Sequence, residues 1–115
     1  MRYYQRISAN SSNQYCSFGF IGGTANGSTT TAYIYKTLPV PLRVPPTATS
    51  YGGTVALHGL NDSRYNISAM GVLSTGTNEQ TVGLVITSSG LTANAYYDLG
   101  ANNSTTAYVE VVAEL

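Results

Sequence analysis

The chain has 115 residues, with five basic and five acidic side chains and no net charge. Hydrophobic residues make up 43% of it and charged residues 9%, while Thr, Ser, Asn and Gly fill 48 positions. That is enough apolar chain for the core of one domain; it excludes the charged, aromatic-poor signature of disorder and the basic surplus needed to follow a nucleic-acid backbone.

Apolar residues recur with period two along the chain, and no window carries a convincing 3.6-residue period. RYYQRI is the first expected strand, and the opening MRYYQRISANSS has no apolar h-region of a signal peptide. After the turn cluster SANSSNQ, the run YCSFGFI puts Cys16, Phe18 and Phe20 on one face and Tyr15, Ser17 and Gly19 on the other. GGTANGSTT reads as a long flexible hairpin loop. TAYIYKTL follows, with Ile34 and Leu38 sharing a face with Lys36, opposite Tyr33 and Tyr35. This strand is apolar on both sides, so one face is expected to meet another chain.

TLPVPLRVPPTATSY holds all four prolines. They interrupt an alternating run in which Val40, Leu42 and Val44 would face the core and Pro39 and Pro41 would project outward. Without those N–H donors the stretch cannot complete a central ladder, so it is expected to be an edge crossing between two sheets. Pro45 and Pro46 then fix a corner before TATSY. Further strands are expected at TVAL, NISAMGVL, QTVGLVIT (Val82, Leu84 and Ile86 inward) and NAYY. The turn clusters YGG, GLNDS, STGTNEQ, TSSG and LGANNST punctuate them. The closing TAYVEVVAEL puts Ala107, Val109, Val111, Ala113 and Leu115 on one face and Tyr108, Glu110, Val112 and Glu114 on the other. About eight to ten short strands with this spacing predict one all-β domain over residues 1–115, an antiparallel β-sandwich without significant helix. No apolar run approaches the length of a transmembrane helix, so membrane insertion is not expected.

Groups for catalysis are scarce. His58 is the only histidine and Cys16 the only cysteine, which argues against a transition-metal site and leaves no internal disulfide. Such a chain suits assembly in a reducing compartment. A Ser-His-Asp set could be sketched from His58 and Asp62, but no G-x-S-x-G elbow accompanies it. Glu110 and Glu114 share a strand face about 13 Å apart, wider than paired glycosidase carboxylates require. No D-x-D-x-D loop supports calcium at Asp62 and Asp98. The reading is therefore a non-enzyme without cofactor or metal. The six N-x-S/T sequons are chance matches in a chain this rich in Asn, Ser and Thr.

Binding is better supported. There are ten Tyr and no Trp, and Tyr offers an apolar ring and a hydroxyl at modest entropy cost. Tyr65 in LNDSRYN and Tyr96 and Tyr97 in NAYYDLG lie in or beside loops. His58, Asn61, Asp62, Arg64 and Tyr65 form the densest cluster of sugar-compatible hydrogen-bonding groups; for Asn61 and Asp62 an Asx-turn is the alternative role. These seven residues are the candidate receptor contacts. Tyr33, Tyr35, Tyr108 and Val112 would face solvent in a monomer and are expected at a subunit interface.

Three segments carry a family resemblance. PVPLRVPPTAT resembles the P-V-x-x-R-x-x-P-T segment of C-terminal domains of bacteriophage tail-fibre and receptor-binding proteins. RYYQRI is similar to the Arg-aromatic-aromatic start of those domains, and VEVVAEL to their terminal strand, which often closes in A-E-L. The resemblance implies a jelly-roll-like sandwich, assembled as a homotrimer at a fibre tip. It would bind a host-surface glycan or outer-membrane protein and reach other virion proteins through its N-terminus. It also implies a virion location after assembly in the host cytoplasm. Such domains normally follow a long shaft, whereas Met1 here stands directly before Arg2. That leaves open a fragment of a longer fibre or a stand-alone virion protein. The alternatives in function are a virion decoration or adaptor protein and a carbohydrate-binding module.

Overall fold

Alternating apolar residues and turn-forming clusters produce a molecule built from strands. The computed structural model of the chain describes residues 2–24, 27–38, 44–59 and 63–114, with side chains within them from residue 5 to residue 112. Its strands are β1 (Arg2–Ser8), β2 (Ser17–Thr24), β3 (Thr31–Thr37), β4 (Ala48–Gly52), β5 (Val55–His58), β6 (Arg64–Asn66), β7 (Ala69–Val72), β8 (Thr81–Thr87), β9 (Tyr96–Ala101) and β10 (Tyr108–Glu114). Among the described residues the only helical element is a single 3₁₀ turn, Ser74–Gly76.

All strand pairs are antiparallel. One sheet has the order β1-β10-β4 and the other β6-β5-β9-β2-β3-β8-β7. The larger sheet curls, so that β7 packs beside β4, where Thr49 Oγ1 lies 3.3 Å from Met70 Sδ. Two four-strand layers result, β1-β10-β4-β7 and β2-β9-β5-β6. The connections β1 to β2, β4 to β5, β6 to β7 and β9 to β10 each pass between layers, which is the jelly-roll order. The pair β3 and β8 is inserted between β2 and β7 and joins the layers along one side. The shortest dimension of the molecule, 20 Å, fits two sheets packed ~10 Å apart.

The inward faces are those the alternation predicts. Phe18, Phe20, Ile34, Leu57, Val82, Leu84, Ile86, Leu99 and Val109 are fully buried and form the centre of the core. Cys16 is half-buried at its margin, just before β2 begins. Lys36 shares the inward face of β3, and a β-bulge accounts for the cation there. Between Ser17 and Phe20, β2 falls out of register with β9, with Gly19 at a φ of +86°. The bulge releases the Phe18 carbonyl from the ladder, and Lys36 Nζ donates to it at 3.0 Å. A backbone acceptor is thereby satisfied, while the Lys stem lies along apolar surface.

Some expected segments differ from the structure; in LGANNST, expected as a turn, Leu99, Gly100 and Ala101 belong to β9. GGTANGSTT is not all loop, because Gly22, Gly23 and Thr24 continue β2. Gly22 is required there, since a Cβ would collide with the Tyr33 carbonyl and lie 2.8 Å from Ile34 Cα. Gly22→Ala is expected to cost at least about 1–3 kcal/mol, as other overpacked sites do, seen as a lower denaturant midpoint. NISAMGVL is two strands rather than one. Ile67 N donates to Val55 O at 3.1 Å and Ser68 N to Thr87 O at 2.8 Å, so the chain leaves β5 and joins β8 within two residues.

The proline-rich segment connects Leu38, at the end of β3, to β4 in the other sheet, so it crosses between sheets. Pro46 is buried, and Thr47 N donates to Val112 O at 2.9 Å, docking the end of the crossing on β10. The expected orientations of Pro39, Val40, Pro41 and Leu42 lie outside the described residues.

Candidate functional site

The cleft at one end of the larger sheet is built from the β5–β6 hairpin and the segment leading into β9. Tyr65 pairs with Leu57 across β5 and β6, so its ring lies on the inward side. There it meets Tyr97 edge to face, with ring centroids 5.8 Å apart and planes at 87°, a favoured aromatic geometry. Tyr97 is 3% exposed, and its hydroxyl accepts the Thr92 N–H at 2.7 Å. Tyr97 is thus a fixed wall whose polar end also positions the 88–95 loop.

Other bonds fix the same loop. Leu91 N donates to Thr29 O at 3.0 Å, and Ala95 N to Thr92 O at 3.2 Å. Asn94, at a φ of +63°, donates its N–H to Thr24 Oγ1 at 2.6 Å. Opposite, Gly59 N donates to Ser63 O at 2.8 Å and closes the hairpin. A side chain at Gly59 would approach Tyr97 Cε1 to 3.0 Å, so glycine leaves the cleft floor open.

The cleft measures about 250 Å³ and is lined by Gly59, Ser63, Tyr65, Thr92, Ala95, Tyr96 and Tyr97. It lies just below the usual range of small-molecule sites. None of these lining residues is charged. Among the described residues, no protein hydrogen bond engages the side-chain hydroxyls of Ser63, Tyr65, Thr92 or Tyr96. Flat aromatic walls with free hydroxyls suit an uncharged polyhydroxylated ligand.

Of the seven candidate receptor contacts, Tyr65, Tyr96 and Tyr97 meet at this cleft. His58 and Arg64 sit across from each other on the opposite face of β5 and β6. His58 Nε2 donates to Ala101 O at 3.0 Å and packs over Gly100; Arg64 stacks over Tyr15 at 4.5 Å. Asn61 and Asp62 lie outside the described residues. Ser17 Oγ donates directly to Asp98 Oδ1 at 2.6 Å, with no histidine between them. Among the described residues, no group of His, Cys, Asp and Glu could hold a metal.

Sequence reasoning missed Gly59, Ser63, Thr92 and Ala95. Ser63 falls within a segment it selected, but Thr92 stands in SSGLTAN, where nothing marks it apart from other turn residues. Of the expected interface residues, Tyr33 and Tyr35 are 38% and 41% exposed on the outer face of β3. Tyr108 is half-buried beneath the Arg6 guanidinium, 3.9 Å from its ring centre. Val112 is half-buried on the same outer face of the smaller sheet.

No protein-family model and no curated protein matches this chain. Among solved structures, the chain is 13% identical to one described as a mutant of a carbohydrate binding module family 29, covering 97% of this chain and 91% of that one, at a TM-score of 0.28, too distant in shape to carry an argument about function.

Proposed function

We propose that this chain is a non-enzymatic attachment domain of a bacteriophage virion, the trimeric tip of a tail fibre or related appendage. Its Tyr65–Tyr97 cleft takes a sugar unit of a host-surface receptor. The observation that carries the binding reading is the cleft itself, with two crossed tyrosine rings, uncharged walls and unengaged hydroxyls on a loop tied down by backbone bonds. A wall fixed in advance loses little conformational entropy when a ligand docks. The virion reading draws on the three resembling segments. Far apart in sequence, they meet in one sheet: RYYQRI forms β1, VEVVAE lies in β10, and PPTAT leads into β4. On this reading the smaller sheet is the common scaffold, and recognition is assigned to the larger one.

The purified chain applied to an array of bacterial surface glycans tests the binding reading. Retention on neutral glycans is expected, and a chain that binds none of them would count against it. Sedimentation equilibrium at micromolar concentration tests the assembly separately; a trimer is expected, and a monomer contradicts that part of the proposal.

A further inference from the structure

The outer face of the larger sheet carries an uncharged row that continues from the cleft. Tyr96, Gly23, Tyr33, Val85 and Gly71 stand in register across β9, β2, β3, β8 and β7. Direct partners in an antiparallel sheet share a face. The face is the outer one, because Ala32, Ile34, Tyr97 and Leu99 on the alternate positions are buried. Tyr96 is 80% exposed and also lines the cleft, so cleft and row meet at this residue. Tyr33 stands two strands away, about 10 Å from it, and Tyr35 about 7 Å further along β3.

Between Tyr96 and Tyr33 the floor is Gly23. A glycine inside a strand costs about 0.5–1 kcal/mol, and where nothing local demands it, it marks close approach by another group. Gly23 and Gly71 both lack a positive φ. A Cβ at Gly71 would meet nothing within 4 Å; at Gly23 it would meet Ala95 O at 3.2 Å and the Tyr96 ring at 3.8 Å. Gly71 is thus free of any local demand, whereas Gly23 is held close to the Ala95 carbonyl, which also accepts from Thr24 N at 3.2 Å; with no side chain at either position the floor of the row stays flat.

We infer that this row is a second binding subsite, in which an uncharged sugar chain leaving the cleft lies over Gly23 between Tyr96 and Tyr33. The inference rests on the sugar-binding reading of the cleft and adds that the ligand is a chain rather than a single sugar. The tyrosine rings supply faces for stacking against sugar rings, and their hydroxyls supply hydrogen bonds. Asp98, in the neighbouring row opposite Ile21, adds a carboxylate that accepts from sugar hydroxyls. A neutral chain suits a row without charged side chains. Tyr33 and Tyr35 are then ligand contacts rather than subunit contacts.

The experiment measures affinity of the full chain for single neutral sugars and for neutral oligosaccharides of increasing length. Wild type, Tyr33→Ser and Tyr35→Ser are compared, with thermal melting and sedimentation checked for each. The wild type is expected to bind the longer chains about tenfold more tightly, a difference of about 1.4 kcal/mol. Both variants are expected to lose that gain while keeping the single-sugar affinity and the sedimentation coefficient. The inference is overturned if length brings no gain, if both variants keep the gain, or if Tyr33→Ser instead dissociates an oligomer. Binding of single sugars without a length effect sinks this inference alone; absence of all sugar binding sinks the cleft reading with it.

Discussion

Phe18→Ala is expected to lower the unfolding free energy by about 3–5 kcal/mol, the usual cost of emptying a buried aromatic site. Domains of this size are stable by only ~5–15 kcal/mol, so the variant sits near the threshold for accumulating folded protein. Phe18 is 1% exposed and stands inside the β2 bulge, where its carbonyl is held by Lys36. The surrounding backbone is therefore fixed by bonds other than ladder bonds and is poorly placed to collapse into the cavity. Ile34→Val, also in the core, removes one methyl group and is expected to cost only about 0.5–1.5 kcal/mol. Denaturant unfolding monitored by tyrosine fluorescence measures both. A loss below about 1 kcal/mol for Phe18→Ala, well short of the usual range, contradicts the placement of this residue at the centre of the core.

Tyr65→Ala is expected to have the largest effect on binding. It removes one wall of the cleft and the edge-to-face partner of Tyr97. Central aromatic contacts cost about 2 kcal/mol or more when truncated, or about thirtyfold in affinity. Tyr65→Phe keeps both the ring and the contact with Tyr97 and removes only the hydroxyl. It is expected to cost about 0.5–1.5 kcal/mol, the scale of one hydrogen bond, or about two- to tenfold. The ratio between the two variants separates stacking from hydrogen bonding. Because Tyr65 is half-buried, thermal melting of Tyr65→Ala is measured alongside.

The layered fold was legible because each half-buried strand repeats every second residue. In QTVGLVIT and TAYVEVVAEL the apolar face could be read directly, and Val82, Leu84, Ile86, Val109 and Val111 are indeed buried. The corner at Ile67 and Ser68 was not legible. No proline or glycine pair interrupts the run. The break is marked by the change of backbone partner from Val55 to Thr87 and by Ile67 and Met70, three residues apart, both packing on the core. Gly22 and Gly23 read as loop residues because a glycine pair is a turn signal; the close approach of the Tyr33 backbone that requires Gly22 lies on another strand.

The candidate site was legible in part for the same reason. Tyr65, Tyr96 and Tyr97 could be chosen from their neighbourhoods, but their meeting depends on β9 lying next to β5, a pairing between distant segments. The dense run from His58 to Tyr65 looked like one cluster in sequence. A strand pleat divides it: Arg64 and Tyr65 are adjacent in the chain and point to opposite faces. His58 follows Arg64 to the outer side, where it bonds the Ala101 carbonyl. Proximity in a β-strand sequence therefore overstates proximity in space, whereas residues two apart keep the same face.

The most direct test of sugar recognition by the cleft is equilibrium binding of the folded chain to immobilised neutral bacterial glycans, with wild type and Tyr65→Ala side by side. Saturable binding by the wild type and a loss of about thirtyfold in the variant are expected, with circular dichroism unchanged. Equal binding by the two folded proteins, or no binding by either, would contradict the claim that the tyrosine cleft recognises a sugar.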